Sequence, residues 1–86
     1  MELITGMAVY SRAGHDKNEL YLIREINGEV LYLVNGDSRT NLNPKKKNKK
    51  HVQGINRCFD IRDVNDVEIK KILKDLSKEE QCPKRM

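Results

Sequence analysis

The residues of this chain best placed to do chemistry are cations. Residues 43–51 read Asn-Pro-Lys-Lys-Lys-Asn-Lys-Lys-His, with lysine at 45, 46, 47, 49 and 50. The formal net charge of the 86 residues is +4, and without those five lysines it falls to −1. The positive charge is therefore local. Flexible ammonium groups act as point charges: they neutralise phosphates and release counterions without reading sequence. Lys45, Lys46, Lys47, Lys49 and Lys50 thus suit the phosphate ridges of a folded RNA. Arg12, His15 and Lys17 form a second cationic group, and Arg39 and His51 bracket the lysine run. Arg39 is the candidate for a bidentate contact to a phosphate or a base, because a guanidinium donates two parallel bonds. His51 is expected to pack or cap where the next strand begins. A short lysine run is more often a solvated face than a site. Here its confinement to one segment of an otherwise neutral chain favours a polyanionic partner.

The residue types needed for catalysis are not assembled. There is no Ser-His-Asp set, no phosphate-cradling glycine loop and no Cys-His nucleophile pair. His15 and Asp16 are merely adjacent, and the carboxylates at Asp60, Asp63 and Asp66 are explained by a helix start. We expect no enzyme and no cofactor. Cys58 and Cys82 stand 24 positions apart, without the paired spacing of a zinc site, and read as two free thiols of a reducing compartment. No apolar run approaches the roughly 20 residues of a membrane span, and the N-terminus lacks the pattern of a secretion signal. The expected location is the cytoplasm. Anchoring to anionic lipid is disfavoured, since no apolar residue lies inside the lysine run to insert.

Hydrophobic residues make up 37% and aromatic residues 5%, which allows one small aliphatic core and one domain. Residues 2–12 alternate as a strand, and residues 13–18 form a tight loop in which Gly14 and Asn18 tolerate positive φ. Residues 19–26 and 29–35 are dense in Leu, Ile, Val and Tyr, and Asn27-Gly28 between them is the signature of a type I′ hairpin turn. That turn would set Ile26 opposite Glu29 and pair Glu25 with Val30, Arg24 with Leu31, Ile23 with Tyr32, Leu22 with Leu33 and Tyr21 with Val34. One face would carry Tyr21, Ile23, Tyr32 and Val34, and the other Leu20, Leu22, Leu31 and Leu33. Both faces are apolar, so something must cover the second. Tyr21 and Tyr32 read as core or cross-strand residues, and Tyr10 as the exposed tyrosine.

Asn35-Gly36-Asp37 signals another turn, residues 38–42 a short strand, and residues 43–51 a solvated basic loop. Residues 51–57 read as a last strand, with Gly54 marking a bulge or a close backbone approach. The period then changes. Val64, Val67, Ile69, Ile72, Leu73 and Leu76 recur at helical spacing, predicting a helix from about Asp66 to about Lys78. Asn65 is its N-cap, Glu68 the capping-box partner, and Asp66–Lys70 an i,i+4 pair. The helix is the expected cover for the second sheet face, and residues 79–86 the expected polar tail.

Residues 6–23 resemble a KOW motif: an apolar strand opened by glycine, a turn holding glycine and a basic residue, then a second apolar strand. The matching residues are Gly6, Val9, Gly14, Lys17 and the run 20–23. Together with Arg39, Asn43, Pro44, the lysines and His51, the stretch 6–53 is similar to the KOW proteins of the e-type large-subunit ribosomal protein fourteen group and its small bacterial relatives. The family often has a second glycine after the basic residue, where this chain has Asn18. The resemblance implies a mainly β fold, a small SH3-like β-barrel over residues 1–60 with the basic loop 43–51, and the helical region 61–78 packed on or beside it. It also implies binding to ribosomal RNA and association with the ribosome and translation; a monomer is expected. The alternative is a protein-interaction module of the same type, docking on a transcription or translation factor through a barrel edge.

Overall fold

The computed structural model describes the backbone of residues 2–81 and the side chains of residues 2–79. Five strands alternate their side chains between two faces: β1 (Met7–Ser11), β2 (Leu20–Asn27), β3 (Val30–Val34), β4 (Lys45–Asn48) and β5 (Val52–Cys58). A 3₁₀ turn, Lys49–His51, joins β4 to β5, and one helix, α1 (Asp66–Gln81), follows. The strands form a single antiparallel sheet in the order β4-β3-β2-β1-β5. It is a mainly β architecture with one C-terminal helix, consistent with a small barrel-like fold.

The period of two creates two cores. On the inner face, Met7, Val9, Tyr21, Ile23, Leu31, Leu33 and Val52 pack together. On the other, Ala8, Leu22 and Val34 meet Ile61, Ile69, Leu73 and Leu76, so the helix covers the second apolar face as expected. Each such aliphatic side chain removed from water contributes about 1.5–3 kcal/mol. Asn65 is the N-cap, its Oδ1 accepting the Glu68 N–H at 2.9 Å. An ion pair between Arg57 and Glu79 also ties the helix to β5.

Several expectations are corrected. The first strand is shorter than residues 2–12, beginning only at Met7. The hairpin turn advances by one residue: Asn27 pairs with Val30, so Gly28-Glu29 forms the turn. Gly28 has a φ of +64° and Glu29 has no positive φ, the pattern of a II′ turn. The ladder then slips between Ile23 and Glu25, placing a bulge at Arg24. The cause is visible in the spacing of Ile23 and Ile26. Residues three apart face opposite sides of a regular strand, yet both pack on the inner core. The bulge permits that, brings Leu31 and Leu33 inside, and leaves Tyr32 outside.

Residues 38–42 form bends and turns, with only an isolated bridge between Thr40 and Asn43. The lysine run is not a solvated loop. Lys45–Asn48 completes the ladder of β3, pairing residue by residue with Leu33 back to Val30. Unsatisfied backbone groups on β3 outweigh the poor strand propensity of lysine. The β1–β5 register does shift, but past Gly54 rather than at it: Gly54 pairs with Val9 and Cys58 with Met7, so the irregularity lies at residues 55–57. The helix runs to Gln81, so residues 79–81 are not tail, and residues 82–86, including Cys82, lie outside the described residues. Cys58 is an exposed free thiol. Asp66 does not pair with Lys70: its Oδ1 accepts the Asn41 N–H at 2.8 Å, while Lys70 Nζ lies 3.8 Å from Asp37. Val67 is off the apolar stripe, and 76% exposed.

Candidate nucleic-acid interface

The loop joining β1 to β2 carries a carboxylate that organises the basic strand. Ser11 N–H and Asn18 N–H bond to Glu19 O and Ser11 O at 2.9 and 2.8 Å, closing the loop at its neck. Gly14 and Asn18 both adopt positive φ, 86° and 73°, as the sequence requires of them. The closed loop turns the Asp16 side chain inward, where it is 14% exposed. Tyr21 OH donates to its Oδ2 at 2.8 Å, and Ser11 Oγ to its Oδ1 at 2.9 Å. Lys47 Nζ donates to Oδ1 at 2.9 Å and to the Ala13 carbonyl at 3.0 Å. Lys45 Nζ completes the set, 3.7 Å from Oδ2.

Burial alone would raise the Asp16 pKa, since it penalises the charged form. The bonds from Lys47, Tyr21 and Ser11, with the Lys47 charge, outweigh that and hold the carboxyl well below its ordinary range. Tyr21 moves the other way: burial, then the bond to Asp16 and the carboxylate's charge, push its phenol up. At neutral pH the cluster is a carboxylate, a neutral phenol and two ammonium groups, and it closes one end of the inner core.

The alternation of β4 explains which lysines are consumed. Lys45 and Lys47 stand opposite Leu33 and Leu31, on the inner side, at 27% and 10% exposure. Lys46 stands opposite Tyr32 on the outer side, with Nζ 5.9 Å from the ring centroid. Lys49 and Lys50 lie in the 3₁₀ turn, which the Asn48 side chain caps by accepting the Lys50 N–H at 3.0 Å. The Lys49 N–H bonds to Glu29 O at 2.9 Å, and the His51 carbonyl accepts the Arg12 N–H at 2.8 Å. His51 itself is exposed rather than packed. Lys17, Lys46, Lys49 and Lys50 have no ion-pair partner among the described residues. Asp16 thus splits the run, with two lysines tied to the protein and three held outward. Lysines on an edge strand also block pairing with other sheets, the ordinary structural role of such residues.

Two clefts flank the β1–β2 loop. The first, of about 500 Å³, is lined by His15, Asp16, Glu19, Arg39, Asn43 and Lys45 among others, so both expected basic segments contribute to it. The second, of about 470 Å³, is lined by Tyr10, Ser11, Arg12, Asn18 and Gln53. Arg12 belongs there, its Nη1 donating to Gln53 Oε1 at 3.1 Å, and is separated from His15 and Arg39. Sequence reasoning missed Asp16, Tyr21 and Ser11. A lone aspartate in a turn carries no sign that a lysine 31 residues later will bond to it.

Among the described residues, no group of His, Cys, Asp and Glu side chains could hold a metal ion, and no helix is long and apolar enough to cross a membrane. No protein-family model matches the chain, and no curated protein matches it.

Proposed function

We propose that this protein is a non-catalytic RNA-binding module of the SH3-like KOW type, acting on ribosomal RNA in the cytoplasm. A four-strand antiparallel meander whose fifth strand returns to the first past a 3₁₀ turn is compatible with that barrel type. The reading is carried by one observation: Lys46, Lys49 and Lys50 project from a backbone-bonded strand and turn with no carboxylate among the described residues to neutralise them. Phosphates are their natural counter-charges. The test is the salt dependence of binding to ribosomal RNA and to short single strands. Changing Lys46, Lys49 and Lys50 together to Ser should weaken binding and reduce the slope of log K against log salt by about 2 on single strands, from roughly 0.7 per phosphate. A wild-type slope near zero overturns the reading.

A second reading, docking on a transcription or translation factor, has its own observation. Asn41 bonds to Asp66 through its N–H and to Val64 through Nδ2 at 3.3 Å, pinning the 40–43 turn beside α1. Leu42 and Val67, the next residues along each segment, are 97% and 76% exposed, and Asn41 Oδ1 is buried without a partner among the described residues. Protein partners that survive nuclease and high salt, and are lost on Leu42→Ser, would favour this reading.

A further inference from the structure

The first cleft gathers opposite charges. Arg39 is half-buried and Glu19 exposed, and both line this cleft. Neither side chain has a hydrogen bond or ion pair among the described residues. Each stands on a fixed backbone. Asn35 Oδ1 accepts the Arg39 N–H at 2.9 Å, and the Arg39 carbonyl accepts the Asn35 and Gly36 N–H groups at 2.8 and 3.0 Å. The Glu19 N–H bonds to Asp16 O, and Glu19 O accepts the Ser11 N–H, both at 2.9 Å. The two charges reach the same phenol: Tyr21, pushed up by burial and by Asp16, is raised further by Glu19 and lowered by Arg39. Asp16, the other carboxylate of the cleft, is already spent on Lys47, Tyr21 and Ser11.

A guanidinium and a carboxylate held apart in one cleft suit a ligand that brings an anion and a hydrogen-bond donor close together. The backbone of RNA does so and that of DNA does not. Phosphate and sugar-ring oxygens only accept, whereas the 2′-hydroxyl also donates. A carboxylate cannot donate, so it repels a phosphate but can hold the hydroxyl. We propose that this cleft seats one ribose-phosphate unit of the bound RNA, its phosphate on the Arg39 fork and its 2′-hydroxyl donating to Glu19. The inference rests on the RNA-binding reading and adds to it the discrimination of RNA from DNA, which the outward lysines, as point charges, do not supply.

The test measures binding of the full chain to short adenosine and uridine strands carrying ribose, 2′-deoxyribose or 2′-fluororibose, by fluorescence anisotropy over a range of salt. The wild type should bind the ribose strands about tenfold tighter than the deoxy strands, whichever the base. The 2′-fluoro strands keep the ribose pucker without the donor, so they should bind like the deoxy strands. Glu19→Ala should bring the ratio of ribose to deoxy affinity down to about one, its fold being checked by melting. Arg39→Lys keeps the charge and loses the fork, so it should weaken the ribose strands severalfold with the salt slope unchanged. Equal binding of ribose and deoxy strands, 2′-fluoro strands that bind like ribose, or a ribose preference that survives Glu19→Ala would overturn the ribose seat. Salt-dependent binding in that case leaves the phosphate reading standing. Absence of binding to any strand removes both.

Discussion

Replacing Asp16 with Asn keeps the shape of the side chain and deletes its charge. Lys47, 10% exposed and bonded to Asp16 at 2.9 Å, would then keep only the Ala13 carbonyl and a neutral amide oxygen. Removing one partner of a buried pair costs about 3–5 kcal/mol, because the remaining charge stays desolvated. Some solvent reaches both groups here, so the low end applies, about 3 kcal/mol. For a chain of this size that is a fall in Tm of roughly 12 to 24 °C. The acid limb gives a second signature. The folded Asp16 carboxyl sits below its ordinary value, so as pH falls the unfolded chain takes up that proton first. Its stabilisation is complete above about pH 4 and is lost progressively as pH falls from there towards the depressed folded value. Urea melts of wild type and Asp16→Asn should therefore differ most at neutral pH and converge in acid. A difference within the roughly 1 kcal/mol of an exposed ion pair, unchanged between neutral and acid pH, would refute the argument.

Two further outcomes follow from the same geometry. Lys47→Ser should lower Tm by several degrees and Lys46→Ser should leave it nearly unchanged, because only Lys47 is bonded to Asp16 and Ala13; paired thermal melts check this, and equal effects would reject the division of the run. Gly36→Ala should destabilise by roughly 2 kcal/mol or more, since its φ is +76° and an added Cβ would lie 2.2 Å from Asp66 O and 2.6 Å from Lys70 N; a neutral result in a urea melt would mean that the turn withdraws from the helix at little cost.

Local chemistry was legible in the sequence, and long-range pairing was not. Gly14 and Asn18 announced a tight loop because so few residues accept positive φ, and Asn65 announced a helix start because its side chain bonds within one turn. Two apolar faces on the hairpin required a cover, and the helical spacing of Ile69, Leu73 and Leu76 supplied it. The hairpin register failed because the turn rule sees four residues, whereas the register was set by Ile23 and Ile26 both reaching the inner core. The lysine run failed for a related reason. Its composition argues against a strand, but the open edge of β3 lies far away in sequence, and so does Asp16. Nothing within the run itself distinguishes Lys47 from Lys46.

That distinction decides how the charge is presented. A flexible arm of five lysines must be immobilised before it matches a phosphate pattern, and each long side chain loses rotamer freedom of up to about 2 kcal/mol. Here the backbone beneath Lys46, Lys49 and Lys50 is already fixed by the ladder with β3, the Asn48 cap and the bond to Glu29 O. Lys45 and Lys47 do the anchoring, with Asp16 as the counter-charge that lets them enter the rim of the core. The stability of the fold and the placement of its free charge thus have one cause. A change that breaks the Asp16 cluster should disturb both, whereas loss of the outward lysines should affect the charge alone.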